Sequence, residues 1–168
     1  MATTTYMSVV IADAGPLIAL SHIQQLDLLR GVFGEVLITT TIRDEVLPTA
    51  DYVGKAALQD ALNAGWLQTV DVPLDDWQAL CSGVDAGEAS AIHLAEQLSD
   101  VLLIIDDRSG RAEARARHLR FTGTAAVVGL AKLKGLIPTA SPLLYALRDS
   151  GYRLSDVVIQ SVLKDVGE

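Results

Sequence analysis

Short apolar runs alternate along the chain with longer stretches of helical periodicity. The runs are four or five residues long, a length typical of buried strands. They are Ser8–Ala12, Val36–Thr39, the weaker Leu67–Val70 and Val101–Ile105, and Phe121-Thr122 ends a short fifth strand. Because the strongest runs are apolar nearly throughout, we expect a parallel sheet that is covered on both faces.

Helical patterns fill the segments between these strands. Gly15-Pro16 opens the first helix, since proline suits the first helical position. The other predicted helices follow Thr40-Thr41 and span Tyr52–Ala64, Asp85–Leu98, Arg108–Leu119, Thr124–Lys134, Pro142–Ser150 and Ser155–Lys164. Strands alternating with helices predict an α/β fold of three layers, with helices on both sides of a central parallel sheet of about five strands.

Length and composition limit the classes of protein to which the chain can belong. The 168 residues fit one domain, in which helices at about 142–166 cover the core or form an oligomer interface. Half of the residues are apolar, which excludes global disorder, and the single cysteine, Cys81, excludes a disulfide framework. No apolar run approaches the ~18 residues of a membrane span. The first six residues lack the basic segment of a signal peptide, so we expect a cytoplasmic protein.

Charge is distributed unevenly along the chain. The formal net charge of −8 argues against a broad basic surface for nucleic acid. Five of the nine arginines nevertheless fall between Arg108 and Arg120. In a helix that starts at Arg108, residues Arg108, Arg111 and Arg115 share one side and could hold substrate phosphates. The alternative is a solvated basic face with a Glu113–Arg117 pair.

Carboxylates follow two of the predicted strands. Asp13 ends the first strand, and Asp106-Asp107 ends the strongest one. In open parallel sheets, ligands bind beyond the carboxyl ends of the strands, where the strand order reverses. A single aspartate in such a place is more often a turn former or a helix cap. Two strands that both end in acids favour a functional site.

Two glutamates extend this set. Glu88 shares a helical face with Ile92 and Ala95, which directs it toward the sheet, although Asp85 and Glu88 also have the spacing of a capping box. Glu45 follows the second strand by one helical turn and alone would be an ordinary solvated residue. If these acids converge, their mutual repulsion is relieved by a hard divalent cation, Mg²⁺ or Mn²⁺, which serves phosphodiester cleavage.

Three motifs together resemble PIN domains. They are Ile11-Ala-Asp13-Ala-Gly-Pro-Leu-Ile-Ala, Asp85-Ala-Gly-Glu88-Ala-Ser-Ala-Ile and Ile104-Ile-Asp106-Asp107-Arg-Ser-Gly-Arg111-Ala-Glu-Ala. The stretch from Phe121 to Ile137 is also similar to the prokaryotic PIN-like branch related to VapC toxins. The resemblance spans about Val9 to Ile137, and we expect it to include the C-terminal helices. The order and spacing of the motifs carry it.

The resemblance implies cleavage of RNA that depends on Mg²⁺ or Mn²⁺. By position, the catalytic acids would be Asp13, Glu45, Glu88 and Asp106, and the metal ligands Asp13, Asp106, Glu88 and the adjacent Asp107. Thr122 or Thr124 matches the small hydroxyl residue that borders many PIN sites. The chain departs from the family pattern at Ala14 and in placing its late acid directly after Asp106, so the number of metals stays open.

Three functions follow as hypotheses. The first is a metal-dependent ribonuclease, a toxin of a toxin–antitoxin pair, with RNA as substrate, an antitoxin protein as partner, and a homodimer as its expected state. The second is a PIN-like protein that binds nucleic acid or regulates without useful catalysis. The third, a phosphoacceptor receiver domain, requires an acidic pair after the first strand, whereas the pair here follows a late strand.

Overall fold

A parallel sheet of five strands lies at the centre of the molecule. The computed structural model describes residues 8–73 and 83–168. Its strands are β1 Val9–Ala12, β2 Val36–Thr39, β3 Leu67–Val70, β4 Val101–Ile104 and β5 Arg120–Thr122. They lie in the order β3-β2-β1-β4-β5, and every neighbouring pair is parallel. In the central register, Ile11 lies between Leu37 of β2 and Leu103 of β4.

Helices connect the strands and flank the sheet in a three-layer α/β/α arrangement, which confirms the predicted fold class. Within the described ranges they are α1 Ala14–His22, α2 Asp27–Phe33, α3 Thr40–Val46, α4 Lys55–Ala64, α5 Ala86–Gln97, α6 Arg108–Ala116, α7 Thr124–Leu133, α8 Ser141–Asp149 and α9 Asp156–Asp165. Helix α3 packs on α5, and α7 packs on α2 and α9. The core lies between these helices and the sheet.

Several element boundaries differ from the sequence-based prediction. Helix α2 was not predicted. The helix expected from Tyr52 begins only at Lys55, since Gly54 has a φ of 103°. Helix α6 ends at Ala116 rather than Leu119, because His118 adopts a φ of 58° and turns the chain back into β5. Cys81 and the first six residues lie outside the described residues.

The two C-terminal helices contribute to the core. Leu144 and Leu147 of α8 and Ile159 of α9 are fully buried, and Leu163 is nearly so. Helix α9 packs against both α7 and α8. Val157 and Val158 of α9 are exposed. In the part of the chain that the structure describes, no helix is both long and apolar enough to cross a bilayer.

The strand order reverses between β1 and β4, which are direct neighbours. The chain moves outward from β1 to β2 and β3, then returns to β4 on the other side of β1 and continues to β5. The backbone N–H of Asp13 donates to the carbonyl of Ile104 at 2.9 Å, so the ends of β1 and β4 are joined. Open α/β sheets bind their ligands at such a reversal.

Candidate active site

A cavity of ≈ 460 Å³ opens at the carboxyl ends of β1 and β4. Its acidic lining residues come from four separate segments of the chain. They are Asp13, Glu45, Asp85, Glu88, Asp106 and Asp107. Every acid that the sequence singled out therefore lies at this one cavity, together with Asp85. We call it the acidic cavity.

Asp13 is the most enclosed of these acids. It follows β1 directly, occupies the N-cap position of α1 and is only 6 % exposed. Burial raises the pKa of the Asp13 carboxyl well above its usual range, and a hydrogen bond from the backbone of Ala14 only partly opposes this. Repulsion from Glu88, Asp85 and Glu45 raises the pKa further. Burial disfavours the charged form of this carboxyl, and a bound cation would stabilise that charged form.

Glu88 combines the two roles that its sequence left open. Its N–H donates to Asp85 Oδ1 at 2.8 Å, and its Oε2 accepts the Asp85 N–H at 3.3 Å, which completes the predicted capping box of α5. The residue is also 6 % exposed, on the same buried face as Ile92 and Ala95. Burial raises the pKa of Glu88 to about 7, helped by the charges of Asp85, Asp107 and Glu45.

Glu45 is held at the rim of the acidic cavity by the junction of α3 and α5. Thr39 Oγ1 accepts the N–H of Ile42 at 3.1 Å, which starts α3, and lies 2.7 Å from Ser90 Oγ on α5. An ideal Cβ on Gly87 would lie only 2.6 Å from Glu45 Oε2, so the glycine makes room for this carboxylate. Desolvation first, and then Asp85, raise the pKa of Glu45.

Asp106 is oriented by groups from α6 and α7. Its Oδ1 accepts the N–H of Thr124 at 2.9 Å, and its Oδ2 accepts the Thr124 hydroxyl at 2.6 Å. Arg111 Nη2 lies 3.7 Å from Oδ1. Thr124 itself is fully buried, and Tyr152 Oη lies 3.5 Å from its hydroxyl. Asp106 is thus held with a fixed direction at the cavity wall.

Asp107 and Arg108 lie where α6 begins. Asp107 caps the helix, its Oδ2 accepting the N–H groups of Ser109 at 2.8 Å and Gly110 at 3.0 Å. Both residues are exposed and line the acidic cavity. Among residues 8–73 and 83–168, Arg108 makes no hydrogen bond or ion pair, so its guanidinium is available to a ligand.

The remaining predicted substrate-binding residues lie beside the acidic cavity rather than in it. The Arg111 and Arg115 guanidinium carbons lie 5.5 and 5.4 Å from the centre of the Phe121 ring. Arg111 and Thr122 line a neighbouring cavity. The predicted Glu113–Arg117 pair is also present, at 2.7 Å, on the same helix. One part of the arginine cluster therefore lies at the neighbouring cavity, and another part forms ordinary pairing along the helix.

Sequence reasoning missed three residues of the acidic cavity. Asp85 was interpreted only as a helix cap, although the D-A-G-E spacing places it beside Glu88. Tyr152 and Arg153 follow α8, far along the chain, and no local pattern links them to the strand ends. Burial and the nearby Asp106 raise the pKa of Tyr152, so its hydroxyl stays protonated at neutral pH.

The donor set suits a hard divalent cation. All six acids offer carboxylate oxygens, the ligands that Mg²⁺ and Mn²⁺ prefer. Asp13 and Glu88 are buried, and neither has an arginine or lysine partner within the described ranges. Within those same ranges, no three His, Cys, Asp or Glu side chains are already arranged around a single point as metal ligands. The chemistry of the donors therefore fits the ion, and side-chain adjustment would accompany its binding.

The chain belongs to the PIN-domain family. The family model described as DUF3368, PIN domain, matches residues 9–168, which includes both C-terminal helices. PIN domains are generally nucleases with this kind of fold, and they typically use divalent metals. A search of curated proteins finds no match to the chain. The resemblance inferred from the three motifs is thereby confirmed and extends beyond Ile137.

Proposed function

We propose that this chain is a Mg²⁺- or Mn²⁺-dependent endoribonuclease that hydrolyses RNA phosphodiester bonds. The observation that carries the proposal is the acidic cavity, where acids from four segments meet at the reversal of strand order. Two of these acids, Asp13 and Glu88, are buried without a cationic partner in the described structure. Retaining such a destabilising arrangement is typical of a functional site.

Asp13 and Asp106 would hold the ion, with Glu88 and Asp107 as further ligands. When bound, a divalent cation lowers the pKa of water and stabilises charge on phosphodiester oxygens. Glu45 and Glu88 lie close enough to the same space to orient the attacking water.

The chain's own cations bind the substrate backbone. Arg108 and Arg153 line the acidic cavity, and neither has a hydrogen-bonding or ionic partner among the described residues. Guanidinium groups bind phosphate oxygens in pairs of hydrogen bonds. In a molecule with net charge −8, these local arginines are what brings an RNA phosphate up to a cluster of acids.

The test is cleavage of a labelled single-stranded RNA in Mn²⁺ by the wild-type chain and by Asp13→Asn and Asp106→Asn. Both variants should lose at least about 100-fold in rate, since they remove ligands of the reacting centre. Asp100→Asn is the matched control, because Asp100 lies at the opposite end of β4 from Asp106. Full activity of Asp106→Asn, with its far-ultraviolet spectrum unchanged, would contradict the proposal.

We extend the proposal to a VapC-like toxin that acts as a homodimer and is held inactive by an antitoxin protein. Membership of the PIN-domain family and the resemblance to the VapC-related branch support this extension. Induced expression of the wild-type chain in bacteria should then arrest growth, and Asp13→Asn should not. Normal growth at high expression of a chain that cleaves RNA in vitro would contradict the toxin role and leave the proposed ribonuclease activity unaffected.

One observation favours a second candidate, a PIN-like protein that binds nucleic acid without cleaving it. Asp106 already pairs with Thr124 and Arg111, and Asp107 is engaged in capping α6. Titration calorimetry with Mn²⁺ distinguishes the two functions. A nuclease should release or absorb heat on binding Mn²⁺ and should melt at a higher temperature in millimolar Mn²⁺. A protein that only binds nucleic acid should show neither effect.

A further inference from the structure

A second and larger cavity, of ≈ 800 Å³, lies beside the acidic cavity. We call it the β5–α9 cavity, because its lining runs from the end of β5 across the start of α7 to α9. Its apolar wall comprises Phe121, Ala126, Leu154, Val158 and Val162, and Arg111 and Arg153 supply its positive charge. Such a volume, largely apolar with a few converging polar groups, is typical of a site for a small organic ligand.

We propose that the β5–α9 cavity binds one unpaired nucleoside of the RNA strand, next to the phosphate that is cleaved. The proposal rests on the proposed nuclease function for the identity of the strand, and on the cavity itself for the ligand. It assigns a binding role to residues of the C-terminal segment, 152–158, and makes single-stranded RNA the preferred substrate.

The position of the cavity supports this assignment. Asp106, Tyr152 and Arg153 line both cavities, so the two spaces share a wall. A phosphate bound at the acidic cavity would therefore have its attached nucleoside at the entrance of the β5–α9 cavity. A paired base cannot enter, because its Watson–Crick edge is already engaged and its faces are stacked.

The chemistry of the lining also matches a nucleoside. Arg111 lines the cavity and lies over the Phe121 ring at 5.5 Å, and Arg115 lies over the same ring at 5.4 Å, so a guanidinium backed by an aromatic ring stands at one end of the cavity. Bases stack on guanidinium planes. Arg111 is held in place, as its Nε donates to the Ile105 carbonyl at 2.8 Å, so it offers a preformed plane.

Arg153 supplies the cation for the connecting phosphate. Arg111 already faces Asp106, whereas Arg153 is exposed and makes no hydrogen bond or ion pair with the residues that the structure describes. It lies on the wall between the cavities, where a strand running from one to the other would pass. Phosphate contacts of this kind position a strand, while the cavity decides whether a base can follow.

The test fills the cavity without touching the acids. Val158 lines the β5–α9 cavity and is 42 % exposed, so the longer, non-aromatic side chain of Val158→Met can project into it without disrupting the core. Val157→Met is the matched control, because Val157 is the preceding residue, is 79 % exposed and does not line the cavity. Adenosine 5′-monophosphate, adenosine and inorganic phosphate are each titrated into the full chain in EDTA, with backbone amide NMR shifts as the readout.

Adenosine 5′-monophosphate should shift the amides of Thr122, Leu154 and Val158, and adenosine should shift the same amides more weakly. Val158→Met should weaken binding about tenfold or more, the loss of one stacked base, and Val157→Met should not. The proposal would be overturned if only inorganic phosphate shifted these amides, or if the nucleotide shifted only the amides of Gly15, Asp85 and Glu88. Equal affinity of the two variants for adenosine 5′-monophosphate would also overturn it.

This readout is independent of cleavage. If nucleotide binds as expected but RNA is not cleaved, the nuclease function fails and the cavity assignment stands. If RNA is cleaved equally well by wild-type and Val158→Met, and no amide shift is seen, the nuclease stands and the cavity assignment fails.

Discussion

At the scale of single residues, the site is built from acids that destabilise the metal-free fold. Asp13 and Glu88 are both 6 % exposed, and burial is the main cause of the raised pKa of each. Removing such a charge usually stabilises a protein while abolishing its function. The two effects separate a functional acid from a structural one.

Asp13→Asn is therefore expected to raise the melting temperature of the metal-free protein at pH 8 by a few degrees, equivalent to about 1 kcal/mol. The same variant should lose the stabilisation that millimolar Mn²⁺ gives the wild type. Thermal melts with and without Mn²⁺ measure both effects, with Asp100→Asn as control. A variant that melts lower than wild type in EDTA would show that Asp13 is structural.

Thr124 should act as a positioning residue for Asp106. Thr124→Val removes the hydroxyl that donates to Oδ2 but keeps the shape of the side chain, so we expect a rate loss of roughly tenfold. Thr124→Ser keeps the donor and should restore most of the rate. Single-turnover cleavage assays compare them, and equal rates for the valine and serine variants would contradict this role.

At the scale of elements, the junction of α3 and α5 sets the acidic cavity. The capping box starts α5 between Asp85 and Glu88, and the pair Thr39–Ser90 ties it to α3. Gly87 lies between Asp85 and Glu88 in the first turn of α5, beside the Glu45 carboxylate. A side chain at this one position should displace Glu45 without altering any acid.

Gly87→Ala tests this arrangement. Its Cβ would meet Glu45 Oε2 at 2.6 Å, so we expect the carboxylate to move and cleavage to fall by about tenfold. Gly15→Ala is the matched control, since Gly15 also lines the acidic cavity and a Cβ there meets nothing within 4 Å. The RNA cleavage rates of the two variants are compared. Equal losses of rate in Gly87→Ala and Gly15→Ala would contradict a specific effect on Glu45.

The same scale shows what sequence patterns can and cannot predict. Strands and long helices were predictable because their apolar periodicity is local, and Asp13 and Asp106 were found because they end such strands. Helix α2 was missed because it contains Gly31 and because its seven residues make only about two turns, too few for a clear apolar periodicity. Tyr152 and Arg153 were missed because tertiary packing of the C-terminal segment, not local pattern, brings them to the cavity.

At the scale of the whole molecule, the acidic cavity links stability to pH. The pKa of Glu88 is about 7 in the folded state, against an ordinary glutamate value of 4.5. Between these values the folded state holds a proton that the unfolded state has released, so stability falls as pH rises. Asp13 contributes in the same direction, because its pKa is also raised.

Metal-free protein should therefore lose stability from pH 5 to pH 8. The part due to Glu88 is on the order of 1–2 kcal/mol once solvent screening is allowed for. Urea unfolding in EDTA at several pH values measures how the free energy of unfolding depends on pH, and Glu88→Gln should make this dependence shallower, leaving the part due to Asp13. A free energy of unfolding that rises across this window would contradict the raised pKa values.

The central claim is that acids from distant parts of the chain form one metal site. Crystals soaked in Mn²⁺ and measured at the manganese absorption edge test it most directly. We predict an anomalous peak in the acidic cavity, about 2.1 Å from oxygens of Asp13 and Asp106. No peak there at millimolar Mn²⁺, or a peak only at another place on the molecule, would contradict the account.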